Sequence, residues 1–262
     1  MKILALDFDG VISDSAAESF VVALRTYTRM RYDTKLVQVA RGIELLSPEA
    51  LRRHPLYLGF LELMPLGNRA EDFAVVLAIL EAGIRVKSQA DYDAQRNAQP
   101  RTFLDAFHTR FYAERRRLAD GDRSAWLALL GPYPDFIPLL RRWSAQVILA
   151  LATAKDHRTV AILLDDYRIA DLFSDGRILD KEAGRGKRAH LTALSRRLGV
   201  DFSDMTFVDD KVNHLEDVAG LGVRCALAGW GYNGSREHVR AREQGFLVCE
   251  LADVEHLLFG DA

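Results

Sequence analysis

Apolar positions fall into two regimes along this chain. Between residues 15 and about 130 they recur at helical spacing, at Phe20, Ala23, Leu24 and Tyr27, at Phe73, Val76, Leu77 and Leu80, and at Leu104, Phe107 and Phe111. Breaks are expected at Ser47-Pro48, at Met64 to Gly67 and over the polar stretch 87–100. No strand is expected there, so the segment reads as all helical. Outside it, short continuous apolar runs at 3–6, 147–152, 205–208, 223–227 and 246–249 alternate with helical faces. Those faces are Phe136/Leu139/Leu140/Trp143, Val160/Leu163/Leu164/Tyr167, Leu191/Leu194/Leu198 and Leu215/Val218/Ala219, with a polar loop over 174–186. Uninterrupted apolar strands alternating with helices predict an α/β protein with a doubly wound parallel sheet, buried on both faces. The expected domains are therefore 1–14 with 131–262, interrupted by a helical insertion over 15–130.

At 262 residues and 49% hydrophobic, the chain is long enough to bury such a core. A formal net charge of −2 gives no reason to expect nucleic acid or an anionic membrane as partner. No apolar run approaches membrane-spanning length, and acids at positions 7 and 9 interrupt any leader-like start, so a cytoplasmic protein is expected. Cys225 and Cys249 sit inside apolar stretches and read as reduced core residues.

The candidate chemistry lies where the strands end. The first apolar run stops at Asp7-Phe8-Asp9-Gly10, the second at Thr153-Ala154-Lys155, and the third at Asp209-Asp210-Lys211. In an open parallel sheet, ligands bind beyond the carboxyl ends of the strands. Carboxylates gathered at one edge repel unless a cation joins them, and hard oxygen ligands select Mg2+. A hydroxyl, loop amides and a lysine beside such a cation suit a phosphoryl group.

These residues, in this order, resemble the four motifs of the haloacid dehalogenase superfamily. Asp7-Phe8-Asp9-Gly10-Val11 resembles the first, Leu151 to Lys155 the second, Gly186-Lys187-Arg188-Ala189 the third, and Val208-Asp209-Asp210-Lys211 the fourth. The insertion after the first motif resembles the family's helical cap. Gly229-Trp230-Gly231-Tyr232-Asn233 is similar to phosphoglycolate-phosphatase-like members. The resemblance implies a Rossmann-like core and Mg2+-dependent hydrolysis of a small phosphate ester, such as phosphoglycolate or a sugar phosphate, by a monomer or homodimer.

It further implies Asp7 as nucleophile, forming an aspartyl-phosphate, and Asp9 as general acid and base. Thr153, Lys187 and the backbone amides near Phe8 and Ala154 would hold the phosphoryl group. Asp7, the Asp9 carbonyl and Asp210 would hold Mg2+, with Asp209 close by or bound through water. Lys181 is the other lysine available to the third motif, and His214 stands where many relatives have a further Asp. Asp9 favours phosphoryl transfer over dehalogenation. A phosphomutase, or a retired module that binds Mg2+ and phosphate, are the alternatives. Lys155 and Lys211 are expected to face solvent, His157 and His214 to cap helices or lie at the surface, and Tyr232 and Asn233 to serve local structure.

Overall fold

The structure, a computed structural model, describes residues 1–260 apart from 68 and 185. The chain divides into two compact units, one of residues 1–14 with the chain from Gly131 onward, the other of residues 15–130.

The first unit is built on six parallel strands: β1 (Ile3–Leu6), β4 (Ile148–Ala152), β5 (Ile178–Leu179), β6 (Met205–Asp209), β7 (Arg224–Ala228) and β8 (Leu247–Cys249). A separate two-residue ribbon pairs β2 (Ser13–Asp14) antiparallel with β3 (Gly131–Pro132). The sheet order is β5-β4-β1-β6-β7-β8. Strand β1 is central, and Ile3, Leu4, Ala5 and Leu6 are all fully buried. Burying side chains such as Ile3, Leu4 and Leu6 contributes ~1.5–3 kcal/mol each. The register sets Leu6 beside Leu151 on one side and Val208 on the other. Asp7 therefore leaves the sheet level with the ends of β4 and β6. Strand order reverses beside β1, and this is where an α/β sheet opens a crevice.

Helices α9 (Phe136–Trp143), α10 (His157–Asp166), α11 (Lys187–Leu198), α12 (Val212–Ala219), α13 (Ser235–Glu243) and α14 (Val254–Phe259) complete this unit. One face of the sheet packs Ile3, Ala5, Phe207 and Leu227 with Leu191 and Leu194 of α11 and Leu215 and Val218 of α12. Asp156 caps α10, its Oδ1 accepting the Thr159 N–H at 3.0 Å, a contact that stabilises by about 1 kcal/mol. Both cysteines are buried free thiols. Strand β5 lies inside the stretch expected to be a polar loop. Its two residues pair with Leu151 and Ala152 at the sheet edge, too short a run to leave a pattern of its own.

The second unit holds α1 (Ala16–Met30), α2 (Leu36–Ile43), α3 (Pro48–Leu51), α4 (Pro55–Leu63), α5 (Asp72–Ala82), α6 (Gln89–Asn97), α7 (Arg101–Gly121) and α8 (Arg123–Leu127). Rings of Phe20, Phe60, Phe73 and Phe111 pack in sequence at centroid distances of 5.3, 5.3 and 5.6 Å. Arg115 grips the fully buried Glu18 with two bonds of 2.6 and 2.7 Å, and Trp126 donates to the same carboxylate at 3.3 Å. Removing either partner of such a pair strands a buried charge, at a cost of ~3–5 kcal/mol.

Two expected breaks turn out to be helices. Pro48 starts α3 behind the Ser47 cap, as the missing N–H of proline permits at a first turn. The polar stretch 87–100 contains α6, held by a reciprocal Ser88–Asp91 capping box and burying Tyr92. Among the described residues, no helix is long and apolar enough to cross a membrane.

Candidate active site at the strand ends

Asp7 follows β1 directly and is buried. Its Oδ1 accepts the Phe8 N–H at 2.7 Å and lies 2.8 Å from Lys187 Nζ. Lys187, the first residue of α11, is also buried, and its ammonium donates to the Ala152 carbonyl at 2.7 Å and meets Asp209 Oδ2 at 3.1 Å. One cation thus joins the ends of β1, β4 and β6. Lys181, by contrast, is exposed. Asp209 closes β6 and is fully buried; it accepts the Lys211 N–H at 2.9 Å and faces His214 Nδ1 at 3.1 Å from both carboxylate oxygens.

Burial sets the ionisation of this group, and neighbouring charge modifies it. Burial, reinforced by Asp209, pushes the Asp7 carboxyl up, and Lys187 opposes it only in part. Burial would also raise Asp209, but His214 and Lys187 overcome it and hold that carboxyl far below the usual range. Burial would lower Lys187, yet Asp209 and Asp7 keep its ammonium above its ordinary value. Asp210 is buried with Asp209 as neighbour, and both effects push it well up.

Asp210 is walled in by glycine. Gly10 has φ +79°, and a Cβ there would stand 2.5 Å from the Asp210 carboxylate. A Cβ on Gly231 would stand 2.4 Å from both Asp210 Cβ and the Gly10 carbonyl. The Tyr232 N–H donates to Asp210 Oδ2 at 3.1 Å, and the Asn233 side chain donates to the Asp210 and Ala228 carbonyls at 3.0 and 2.8 Å. Tyr232 and Asn233 do hold local structure, and that structure is the wall around Asp210.

Asp9 is one-third exposed and its Oδ1 lies 3.0 Å from Lys155 Nζ. Thr153 is buried just beyond β4, with its Oγ1 accepting the Lys155 N–H at 3.2 Å; Ala154 is exposed beside it. The expectation that Lys155 faces solvent is wrong: its side chain is 0% exposed. A lysine after a strand usually reaches water, but this one has the Asp9 carboxylate across the crevice. His214 likewise is no plain surface group, since Asp209 draws it inward. His157 starts α10 with a mostly exposed ring, its Nδ1 at 2.6 Å from Asp180 Oδ2.

Asp7, Asp209 and His214 each offer a ligand atom within 4.8 Å of the others. The donor set suits a divalent cation, and the electrostatics agree. Raised carboxyls at Asp7 and Asp210 mark buried negative charge that Lys187 alone does not balance. A cavity of about 360 Å³ lies instead within the helical unit, lined by Arg69, Asp72, Asp93 and Arg96 among others. Its arginines and aspartates offset one another, with Arg96 Nε 2.6 Å from Asp72. It contains none of the strand-end groups.

Comparison with known proteins gives a family and a fold. The family described as "Hydrolase: haloacid dehalogenase-like hydrolase" matches residues 1–217. Phosphoglycolate phosphatase 1 of Pseudomonas aeruginosa is 32% identical over 114 residues, a match covering 42% of this chain and 41% of that protein. The crystal structure of a "predicted phosphoglycolate phosphatase" from Haemophilus somnus 129pt superposes with a TM-score of 0.63 at 17% identity, covering 98% of each chain. A haloacid dehalogenase-like family hydrolase from Streptococcus pneumoniae gives a TM-score of 0.61 at 11% identity, again over 98% of each chain.

Proposed function

The chain belongs to the haloacid dehalogenase-like hydrolases, and from that premise we propose that it is a Mg2+-dependent phosphomonoesterase working through an aspartyl-phosphate on Asp7. The observation that carries this reading is the buried Asp7–Lys187–Asp209 bridge across three strand ends. Asp7 is the nucleophile: one carboxylate oxygen attacks phosphorus in line with the departing ester oxygen. Lys187 restrains Asp7 and meets the phosphoryl charge, with Asp209 and His214 fixing the lysine from behind. The Thr153 hydroxyl and the amides of Phe8 and Ala154 receive the phosphoryl oxygens. Asp9, at the exposed side of the crevice, gives a proton to the leaving oxygen and then takes one from the water that hydrolyses the acyl phosphate.

Asp7, the Asp9 carbonyl and Asp210 would hold the cation, with Asp209 beside it or bound through water. Bound there, Mg2+ supplies charge neutralisation and orientation for the phosphoryl oxygens. The glycine wall around Asp210 keeps that carboxylate in place for the role.

The helical unit is proposed as the cap that selects the leaving group. The chain passes into and out of it through the paired ribbon β2–β3, which gives two adjacent crossing points. A small anionic ester such as phosphoglycolate or a sugar phosphate is the proposed substrate, by analogy with the relatives. A phosphomutase, which returns the phosphoryl group to a second hydroxyl instead of water, shares these residues. Release of inorganic phosphate distinguishes the two.

The test is turnover of an aryl phosphate with and without Mg2+, beside Asp7→Asn. The substitution is nearly isosteric, so the fold should persist and turnover should vanish. Beryllium fluoride should inhibit the wild-type protein. Undiminished turnover in pure Asp7→Asn would sink the mechanism.

A further inference from the structure

We infer that His238 and Asn233 are positioning residues for the proposed cation ligand Asp210: His238 orients the Asn233 amide, and that amide fixes the main chain from which the Asp210 carboxylate hangs. The inference rests on the proposed role of Asp210 and deepens it.

The observation is one side-chain amide spanning two strand ends. Strands β6 and β7 pair as far as Asp209 and Leu227. Asp210 and Ala228 are the next residues along, and the Asn233 NH2 group donates to both of their carbonyls, at 3.0 and 2.8 Å. A side chain thus closes the rung beyond the end of that ladder. Two carbonyl oxygens can be met only by the NH2 end of an amide, so Oδ1 must face the other way. There it accepts from His238 Nε2 at 2.7 Å. His238 therefore carries a hydrogen on Nε2, and the orientation of the amide is settled from both ends. Turned over, the amide would set its oxygen against two carbonyls and its NH2 against the imidazole N–H.

His238 is a steady donor. It lies in the opening turn of α13, its own N–H donating to the Gly234 carbonyl at 3.0 Å. Just beyond it, Ala241 is fully buried and Arg240 grips Glu216 of α12 with bonds of 2.8 and 2.6 Å. Asp210 in turn is held at two points. Asn233 fixes its carbonyl, and the Tyr232 N–H meets its Oδ2 at 3.1 Å. These two residues are consecutive, so one short loop sets both the main chain and the carboxylate. Metal–oxygen distances tolerate only about 0.2 Å of error. A ligand so constrained depends on the groups behind it, which typically govern metal affinity by ~10–100-fold.

The test reads the affinity for Mg2+ itself, from the Mg2+ dependence of the melting temperature of the full chain without substrate. Asn233→Ala removes both donors and should weaken Mg2+ binding by roughly 10–10²-fold. His238→Phe keeps a ring and removes the donor, and should weaken binding by roughly 2–10-fold, the worth of one hydrogen bond. His238→Gln restores a side-chain N–H and should recover most of that loss. In the Asn233→Ala background, His238→Phe should add no further loss, because the group it acts through is gone. Melting in EDTA measures the structural share separately. Unchanged Mg2+ affinity with lowered melting in EDTA, or additive losses in the double variant, would overturn the inference and leave both residues as supports of the loop. Should Asn233→Ala not fold by circular dichroism, the two His238 variants decide alone, and equal Mg2+ affinity in them overturns it. A wild-type protein whose melting ignores Mg2+, or an Asp210→Asn variant that responds as the wild type does, fails the proposed cation role of Asp210, and the inference falls with it. A responsive wild type with unmoved Asn233 and His238 variants fails only the inference.

Discussion

Asp210, proposed as a cation ligand, is a carboxylate whose charge opposes the fold. Burial and the Asp209 charge raise its carboxyl well above the ordinary value. A carboxyl raised in the folded state contributes stability that is present below the unfolded value, near ~3.9, and lost as pH rises through the folded one. Asp7 acts in the same sense, whereas the depressed Asp209 contributes stability that is lost only as acid protonates it. Asp210→Asn keeps an acceptor for the Tyr232 N–H and removes the charge. In EDTA at pH 7.5 it should raise the melting temperature, by roughly 2–4 °C per kcal/mol recovered, and the gain should shrink towards pH 4. A gain that is the same at both pH values would show that charge is not the cause. Of these residues, Asp7, Asp9, Thr153 and Asp210 were legible because each follows an apolar run at a strand end. Lys155 was misjudged because a partner far along the chain, Asp9, draws it in, and His214 because the buried Asp209 five residues earlier turns its ring inward.

Elements with a strong apolar period were read well, and those governed by one or two contacts were not. Helix α6 buries only Tyr92, so its pattern is nearly all polar. Its signal was the capping box, Ser88 Oγ accepting the Asp91 N–H at 3.2 Å while Asp91 Oδ2 accepts the Ser88 N–H at 3.0 Å. Ser88→Ala should destabilise the helical unit by about 1 kcal/mol. Hydrogen exchange of residues 88–97 should quicken, and the strands of the sheet should be unaffected. Unchanged exchange across α6 would mean that packing of Tyr92 suffices to hold the helix. Strand β5 is a different case. Two residues carry no periodicity, and Ile178 and Leu179 become a strand because the edge of β4 offers them unpaired backbone groups.

For the molecule as a whole, a cation should stabilise one unit by mass action. A ligand at 100 times its dissociation constant adds ~2.7 kcal/mol if it binds only the folded state. The candidate ligands all lie in the unit built on the sheet, at the ends of β1 and β6. Adding Mg2+ should therefore slow hydrogen exchange in β1, β6 and the 229–233 loop more than in α4 or α5. Asp210→Asn should abolish the difference. Uniform protection, or none, would argue against a cation at the strand ends.

The sequence by itself determined the alternation of buried strands and amphipathic helices, the helical character of 15–130 and the acids at three strand ends. Each of these is local: period and run length follow from which faces must be buried, and turn residues mark where a run stops. Only tertiary structure decided that Lys187 rather than Lys181 faces Asp7, that Asp209 is held between Lys187 and His214, and that Lys155 reaches Asp9. These contacts join residues 180, 22, 5 and 146 positions apart, and they are set by side-chain direction within one buried crevice, for which spacing along the chain carries no information.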